Sequence, residues 1–244
     1  MNVVSFFLTY RHSLDSNSIS LFIAYNPDSL YNRLKVILLL RCQLRPKLLL
    51  ATNNAGKVKE YRSLLQGIPF ELVTPKETGI DMDVEETGAT YAENARLKAC
   101  TLVKKSGLLT LADDSGIEVD ALAGAPGVMS ARYAGENASD TERVNYLLSK
   151  LKDVPQEKLT ARFYCVIAIA QPNGQVEFCD GECKGMITFE PSGKKGFGYD
   201  PIFFFPERGK TMAELPLEIK NQISHRGRAA QKARLLLNKM AGTF

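Results

Sequence analysis

The stretch KLLLATNNAGKVKEYRSLLQ, residues 47–66, decides the fold class of this chain. Residues 47–51 form a short apolar run that is typical of a buried β-strand, and the polar residues 52–56 form a loop after it. From Lys57 onward the apolar side chains return at helical spacing, at Val58, Tyr61, Leu64 and Leu65. A strand that passes through a short loop into an amphipathic helix is the repeating unit of α/β proteins.

The same alternation continues along the chain. A Thr90–Glu93 capping box opens one further predicted helix, and an Asn173-Gly174 turn joins two predicted strands into a hairpin. Alternating elements followed by a hairpin predict an α/β fold with a mixed β-sheet flanked by helices. The predicted helices span residues 57–66, 91–105, 140–151 and 227–240, and the predicted strands span residues 47–51, 70–73, 108–112, 161–170 and 175–188.

Residues 1–46 differ from the rest of the chain, because their apolar clusters show no sustained period of 2 or 3.6. We expect them to form a poorly ordered N-terminal extension, with an organellar transit segment and a start codon assigned too early as the alternatives. We expect residues 47–244 to form one folded domain.

The overall composition narrows the class of protein. A net charge of +4 is too mild for a nucleic-acid surface, although it suits a small anionic ligand. No apolar run reaches the length of a membrane span. Five cysteines at scattered positions do not suggest a disulfide framework, so we expect a reducing compartment and a cytoplasmic protein without nucleic-acid or membrane partners.

The loop Thr52-Asn53-Asn54-Ala55-Gly56-Lys57 is a candidate phosphate site. Free backbone N–H groups at a helix N-terminus favour phosphate, and a lysine there adds a positive charge. The segment lacks the spacing of a Walker A loop. An ordinary strand–helix turn with a solvated Lys57 is the alternative.

Two carboxylates, Asp113 and Asp114, come directly after the predicted strand 108–112. Adjacent carboxylates repel each other unless a cation or hydrogen bonds compensate, and carboxylate oxygens are ligands that suit Mg²⁺. Glu85 and Glu86, in the acidic loop 81–88, offer a second source of carboxylates. The alternative is a turn in which Asp113 accepts backbone hydrogen bonds and Asp114 is solvated.

Two other segments combine aromatic, acidic and basic side chains. The loop Phe197-Gly198-Tyr199-Asp200 could stack on a base and accept a hydrogen bond, or its rings could be core anchors. The segment Ser224-His225-Arg226, with Lys220 before it, supplies donors for the O6 and N7 acceptors of a 6-oxopurine. A helix cap at Ser224 and a structural His225 are the alternatives.

In their order along the chain, these motifs resemble the inosine triphosphate pyrophosphatase family, which is Ham1-like and acts on non-canonical purine nucleotides. The resemblance covers about residues 47–240. The motifs that carry it are ATNNAGK (51–57), EETGATYAENA (85–95), ADDSG (112–116), GAPGVMSARY (124–133), GFGYDPIF (196–203) and ISHRG (223–227).

The resemblance implies an elongated α/β fold with a nucleotide cleft between two lobes, usually as a homodimer. It implies hydrolysis of ITP, dITP and XTP to the monophosphate and pyrophosphate. It assigns Mg²⁺ to Glu86 and Asp114, with Asp114 also the catalytic base. The implied substrate-binding residues are Thr52, Asn53, Asn54, Ala55, Gly56, Lys57, Lys98 and Ser115 for the phosphates, and Phe197, Gly198, Tyr199, Asp200, Lys220, His225 and Arg226 for the nucleoside.

Three rival functions remain at this point. A Maf-type pyrophosphatase would act on pyrimidine or modified nucleotides, and the His225-Arg226 pair argues against it. A non-catalytic nucleotide sensor would not need the carboxylates Glu86, Asp113 and Asp114, whose presence favours an enzyme. A nucleic-acid-binding protein would need a concentrated basic face.

Overall fold

The computed structural model describes residues 45–80 and 84–242. The predicted N-terminal extension therefore lies, apart from residues 45 and 46, outside the described residues, as do residues 81–83 of the acidic loop. The strands are β1 Lys47–Leu50, β2 Glu71–Val73, β3 Leu109–Val119, β4 Thr160–Ala170, β5 Val176–Ile187, β6 Phe203–Phe205 and β7 Lys210–Thr211. The helices are α1 Ala55–Leu64, α2 Tyr91–Ser106, α3 Asp140–Leu151, α4 Leu217–Ile223 and α5 His225–Ala241.

The seven strands of the described residues form one sheet in the order β2-β1-β3-β4-β5-β6-β7. β1 pairs in parallel with both β2 and β3, whereas every pair from β3 to β7 is antiparallel. The sheet is therefore mixed, as the alternating pattern and the hairpin together predicted. Within the described residues, no helix is long and apolar enough to cross a membrane.

The long hairpin of β4 and β5 forms the centre of this sheet. It closes with Ala170 opposite Val176, and the turn between them contains Asn173-Gly174 as predicted. Gly174 adopts a φ of +91°, which is the left-handed conformation that favours glycine.

The helix starts follow local capping chemistry. The Thr90–Glu93 capping box of α2 is confirmed, and Ser139 with Glu142 forms another at the start of α3. α1 begins at Ala55 rather than Lys57, because the Asn54 side chain accepts a hydrogen bond from the Lys57 N–H. Its N-terminal N–H groups therefore lie inside the candidate phosphate loop.

Helices flank the sheet and bury three apolar clusters. One cluster places Tyr61 of α1 and Ala230 of α5 against the strands around β3. A second places Leu147 of α3 against Phe163 of β4 and the β6 region. A third packs Ala99 of α2 against β1 and β3. This arrangement confirms the predicted α/β fold with a mixed sheet flanked by helices.

The prediction that a strand ends before the two aspartates is wrong. β3 continues from Leu109 to Val119, and both Asp113 and Asp114 hydrogen-bond within its ladder opposite Ile167 and Val166. The strand can run on because cationic side chains from the flanking helices neutralise the two carboxylates, which local sequence does not reveal.

Candidate active site

A cavity of about 290 Å³ lies beside the aspartates of β3. Its walls come from the loop before α1, from β3, from the start of α3, from the glycine-rich loop of residues 193–199 before β6 (the glycine loop) and from the start of α5. Every predicted site residue lines it except Ala55 and Gly56, which lie on the first turn of α1. Those that line it are Thr52, Asn53, Asn54, Lys57, Glu86, Lys98, Asp114, Ser115, Phe197, Gly198, Tyr199, Asp200, Lys220, His225 and Arg226.

The predicted phosphate loop forms the N-terminus of α1. The Asn54 Oδ1 accepts from the Lys57 N–H at 3.0 Å, and the Asn54 N–H donates to the Thr52 hydroxyl at 3.2 Å. The Lys57 Nζ reaches back to Asp113 Oδ1 at 3.0 Å. Lys57 is therefore not the solvated lysine of the alternative interpretation, because its ammonium is held at the wall of the cavity.

On the opposite wall, Lys98 brings the two predicted metal ligands together. Its Nζ lies 2.5 Å from Glu86 Oε1 and 3.5 Å from Asp114 Oδ1. The Asn94 amide, one turn earlier on α2, donates to Asp114 Oδ2 at 3.1 Å. The alternative of a solvated Asp114 is therefore wrong, since its side chain is only 7% exposed.

The environment shifts the pKa values of this group in different directions. Burial raises the pKa of Asp114, although Lys98 and Lys57 oppose the rise. Burial also acts against ionisation of Glu86, but Lys98, Lys57 and Arg132 together outweigh it, so the pKa of Glu86 is lowered. Around Lys98 the carboxylates likewise outweigh burial and raise its pKa, which keeps the ammonium charged.

The donor set fits a magnesium ion that is bound together with phosphate. Mg²⁺ is usually held by one or two carboxylates, with the remaining positions taken by waters and substrate phosphates. Glu86 and Asp114 share the ammonium of Lys98. The described residues contain no group of three or more His, Cys, Asp or Glu side chains suited to a metal. Two carboxylates therefore leave room for phosphate oxygens on the same ion.

Asp113 points away from this pair and is fully buried. Its carboxylate pairs with Lys57 at 3.0 Å and accepts from Arg226 Nη2 at 3.2 Å. Burial alone would raise the pKa of Asp113, but Lys57 and Arg226 hold it well below its usual range. The predicted alternative, in which Asp113 accepts backbone hydrogen bonds, is wrong, because side-chain cations fill that role.

The ring of Phe197 lies directly on the first turn of α1. A Cβ atom built at Gly56 would meet the ring at 2.5 Å, so only glycine allows this approach. The Lys220 ammonium and the Arg226 guanidinium lie 5.2 Å and 5.5 Å from the ring centroid. Phe197 is therefore placed at the cavity between cationic groups rather than in an apolar core.

The other residues of this loop anchor it. Tyr199 is buried, and its hydroxyl donates to the Ser130 carbonyl at 2.9 Å. Asp200 accepts from the Phe197 N–H at 3.0 Å and from Lys220 at 2.5 Å. Of the two rings, Tyr199 is thus a core anchor, as the alternative interpretation had it, while its edge still lines the cavity.

Glu60 completes a buried charge network that the sequence did not reveal. It pairs with Lys220 at 2.6 Å and with Arg226 at 2.7 Å. Burial opposes its ionisation, yet Arg226 and Lys220 lower the pKa of Glu60 overall. The sequence signal that could have found Glu60 is its position three residues after Lys57, on the same face of the helix.

The two helix-start residues of α5 lie at the back of the cavity. His225 is buried and stacks on Phe163 with ring centroids 4.7 Å apart. Burial lowers the pKa of His225 well below its usual value, and Arg226 and Lys220 add to that, so the ring is neutral at pH 7. Arg226 also donates to Ser115 at 2.8 Å, and Ser224 caps the helix as predicted.

Arg132 also touches the site, although the sequence gave it no role beyond its place in a motif. Its guanidinium lies 3.2 Å from Glu86 Oε2 and 3.4 Å from the Glu86 carbonyl. It therefore fixes the end of the acidic loop that faces Asp114.

One wall of the cavity carries a cationic helix start, the other carries a carboxylate pair, and the whole is built on an open mixed sheet. This combination defines an α/β enzyme for a phosphorylated substrate. The chain belongs to the Ham1 family, whose model matches residues 48–235.

Named relatives and solved structures agree with this membership. A protein of Desulforamulus reducens named dITP/XTP pyrophosphatase is 54% identical over 80% of this chain and 96% of its own length. The Escherichia coli K12 protein of the same name is 50% identical over 75% and 93%. The Ham1 protein structure from Coxiella burnetii is similar with a TM-score of 0.73 and 42% identity, covering 80% of this chain and 99% of its own.

Proposed function

We propose that this chain hydrolyses the non-canonical purine nucleoside triphosphates ITP, dITP and XTP to the monophosphate and pyrophosphate, and so cleanses the nucleotide pool. The observation that carries the proposal is that one cavity holds a phosphate-type helix start, a carboxylate pair and an aromatic ring flanked by cations. The names of the relatives from Desulforamulus reducens and Escherichia coli support it.

The triphosphate binds between the N-terminus of α1 and Lys98. The N–H groups of Asn53, Ala55 and Gly56 and the Lys57 ammonium contact phosphate oxygens. Glu86 and Asp114 are the residues that would hold Mg²⁺. Bound there, the ion would supply positive charge against the charge that develops on the pyrophosphate leaving group. Lys98 stands beside the same carboxylates and adds a second positive charge.

Asp114 orients the attacking water. The Asn94 amide fixes one oxygen of its carboxylate at 3.1 Å, and the other oxygen lies 3.5 Å from the Lys98 ammonium at the cavity wall. The water oxygen bonds to the α-phosphorus while the bond from that phosphorus to the bridging oxygen breaks. The proton of the water passes to Asp114, and the electron pair of the broken bond stays on the pyrophosphate.

The nucleoside lies at the Phe197 end of the cavity. The Phe197 ring stacks on the base, and Lys220, His225 and Arg226 supply the donors on that side. Donors match the O6 and N7 acceptors of hypoxanthine and xanthine, whereas adenine presents a donor of its own at the 6-position. We therefore expect ATP to be rejected.

Pyrophosphate release by the full chain tests this function, with ITP, dITP, XTP, GTP, ATP and dTTP compared with and without Mg²⁺. Release that requires Mg²⁺ and is confined largely to ITP, dITP and XTP supports the proposal. Best activity on dTTP indicates a Maf-type enzyme instead. Binding of ITP without any release indicates a nucleotide sensor.

Replacing the catalytic carboxylate tests its role directly. Asp114→Asn should lose at least about a hundredfold in kcat, as expected when a positioned acid–base group is removed. Asp180→Asn, at an exposed carboxylate of β5, is the matched control and should keep the wild-type rate. Near-full turnover of Asp114→Asn with an unchanged Mg²⁺ requirement would refute the assignment.

We also propose that residues 47–244 form the enzymatic domain after a separate extension, residues 1–46, and that the enzyme works as a cytoplasmic homodimer. The free thiols of Cys100, Cys165, Cys179 and Cys183 support a reducing compartment. Limited proteolysis of the full chain should remove the extension and leave the domain. Sedimentation should give twice the chain mass of 27.0 kDa.

A further inference from the structure

The first residue of α3 contacts the glycine loop of the cavity across 58 positions of sequence. The Asp140 Oδ2 accepts a hydrogen bond from the Gly198 N–H at 2.7 Å. The other carboxylate oxygen accepts from Arg143, one turn later on the same helix. Asp140 and Arg143 both line the cavity, although no sequence motif pointed to them.

Arg143 fixes the direction of the Asp140 carboxylate. Its guanidinium donates to the carbonyls of Ala131 at 3.0 Å and Ala138 at 2.6 Å, which belong to the segment that leads into α3. The Arg143 side chain is 19% exposed and is therefore held on several sides. The carboxylate thus points at Gly198 from a rigid base.

Asp140 is not needed to cap the helix. The Ser139 hydroxyl accepts from the Glu142 N–H at 3.2 Å, and the Glu142 carboxylate accepts from the Ser139 N–H at 2.7 Å. This capping box satisfies the helix start on its own. The contact with Gly198 is therefore available for another task.

The bonded N–H lies between the two aromatic residues of the loop. Gly198 adopts a φ of +63°, which turns the chain between Phe197 and Tyr199. Tyr199 and Asp200 secure the inner side of the turn through Ser130 and Lys220. The bond to Asp140 secures the outer side, next to the Phe197 ring.

We propose that Asp140 is a positioning residue for the nucleoside: its carboxylate holds the Gly198 N–H and thereby keeps the Phe197 ring on the first turn of α1, where the base stacks. This inference rests on the proposed function, which assigns the Phe197 end of the cavity to the nucleoside. Asp140 acts through the loop and touches neither the phosphates nor the reacting atoms.

Calorimetric binding of IMP and of pyrophosphate to the full chain, each with Mg²⁺, separates the two ends of the cavity. Asp140→Ala should weaken IMP binding about tenfold, the factor that corresponds to roughly 1.4 kcal/mol, because one hydrogen bond to a charged acceptor is lost. Pyrophosphate affinity should stay unchanged. With ITP as substrate, KM should rise by a similar factor while kcat stays within about twofold.

Two variants control for a general effect on α3. Asp140→Asn keeps an oxygen that can accept from Gly198 and should bind IMP within about threefold of wild type. Glu142→Ala removes the capping box at the same helix start without touching the loop, so it should lower the melting temperature but leave IMP affinity unchanged.

Three results would overturn the inference alone. Wild-type IMP affinity in Asp140→Ala would show that the contact does not position the loop, and equal losses of IMP and pyrophosphate would show general damage. A loss of IMP affinity in Glu142→Ala as large as in Asp140→Ala would assign the effect to the helix start. Absence of ITP turnover by the wild-type chain would instead overturn the proposed function, and this inference with it.

Discussion

The buried carboxylate of Glu60 should contribute more to stability than any ion pair on the surface of this enzyme. Its side chain is 6% exposed, and its partners Lys220 and Arg226 are 5% and 3% exposed. Glu60→Gln keeps the volume but removes the charge. Counting Lys57 with the network, three cations would then face only the carboxylates of Asp113 and Asp200.

Breaking a buried pair by removing one partner costs about 3 to 5 kcal/mol, because the remaining charge stays in a poorly solvated site. That is a large part of the roughly 5 to 15 kcal/mol that stabilises a typical domain. For a domain of this size the melting temperature of Glu60→Gln should fall by roughly 10 °C. Thermal unfolding followed by circular dichroism at neutral pH measures it.

Asp180→Asn provides the matched control. Asp180 pairs with Lys232 at 2.7 Å, a length similar to that of the Glu60 pairs, but the two side chains are 53% and 56% exposed. Its loss should cost less than about 1 kcal/mol, since water and salt screen the pair. Equal melting temperatures for Glu60→Gln and Asp180→Asn would refute the reasoning, because burial would then add nothing to the effect of the charge.

Two further predictions concern the cavity walls. In Gly56→Ala the new Cβ would lie 2.5 Å from the Phe197 ring, so the ring should be displaced. KM for ITP should rise severalfold without abolishing turnover. An unchanged KM would contradict the contact. The pKa of His225 is lowered in the fold, so below about pH 6.5 the unfolded chain binds a proton that the folded chain does not. The free energy of unfolding should therefore be level above that pH and fall below it by up to about 1.36 kcal/mol per pH unit. His225→Gln should remove this one-proton slope in urea unfolding titrations between pH 5 and 7, and an unaltered slope would show that the ring is not held neutral. The charged groups that act on His225 are Arg226, Lys220, Asp113 and Lys57.

The sequence was sufficient to predict features that depend only on neighbouring residues. The Thr90–Glu93 capping box and the Asn173-Gly174 turn were predicted from a few neighbouring residues, because capping and turn geometry depend on those residues alone. Residue chemistry marked most of the candidate site residues, and the family resemblance assigned their roles. Spacing could not show that they converge, since Arg226 and Asp113 meet across 113 positions of sequence.

The errors have a common physical origin. The strand was predicted to end at Ala112 because two adjacent aspartates are unfavourable in a buried strand. β3 tolerates them because Lys57 and Lys98 arrive from two different helices, on opposite sides of the strand. Glu60 was overlooked for the same reason. A glutamate on a helix is expected to be solvent-exposed unless the cations that pair with it are known.

The continuation of β3 through the site determines which parts of the site have a fixed backbone. Asp113 and Asp114 belong to a hydrogen-bonded ladder that pairs residue for residue with β4 from Thr110 to Val119. The backbone that carries these two carboxylates cannot shift towards a ligand without breaking ladder hydrogen bonds, so any adjustment of the acid groups is limited to rotation of their side chains. Strand β3 is thus the fixed reference against which the loops around Glu86 and Phe197 place the other walls of the site.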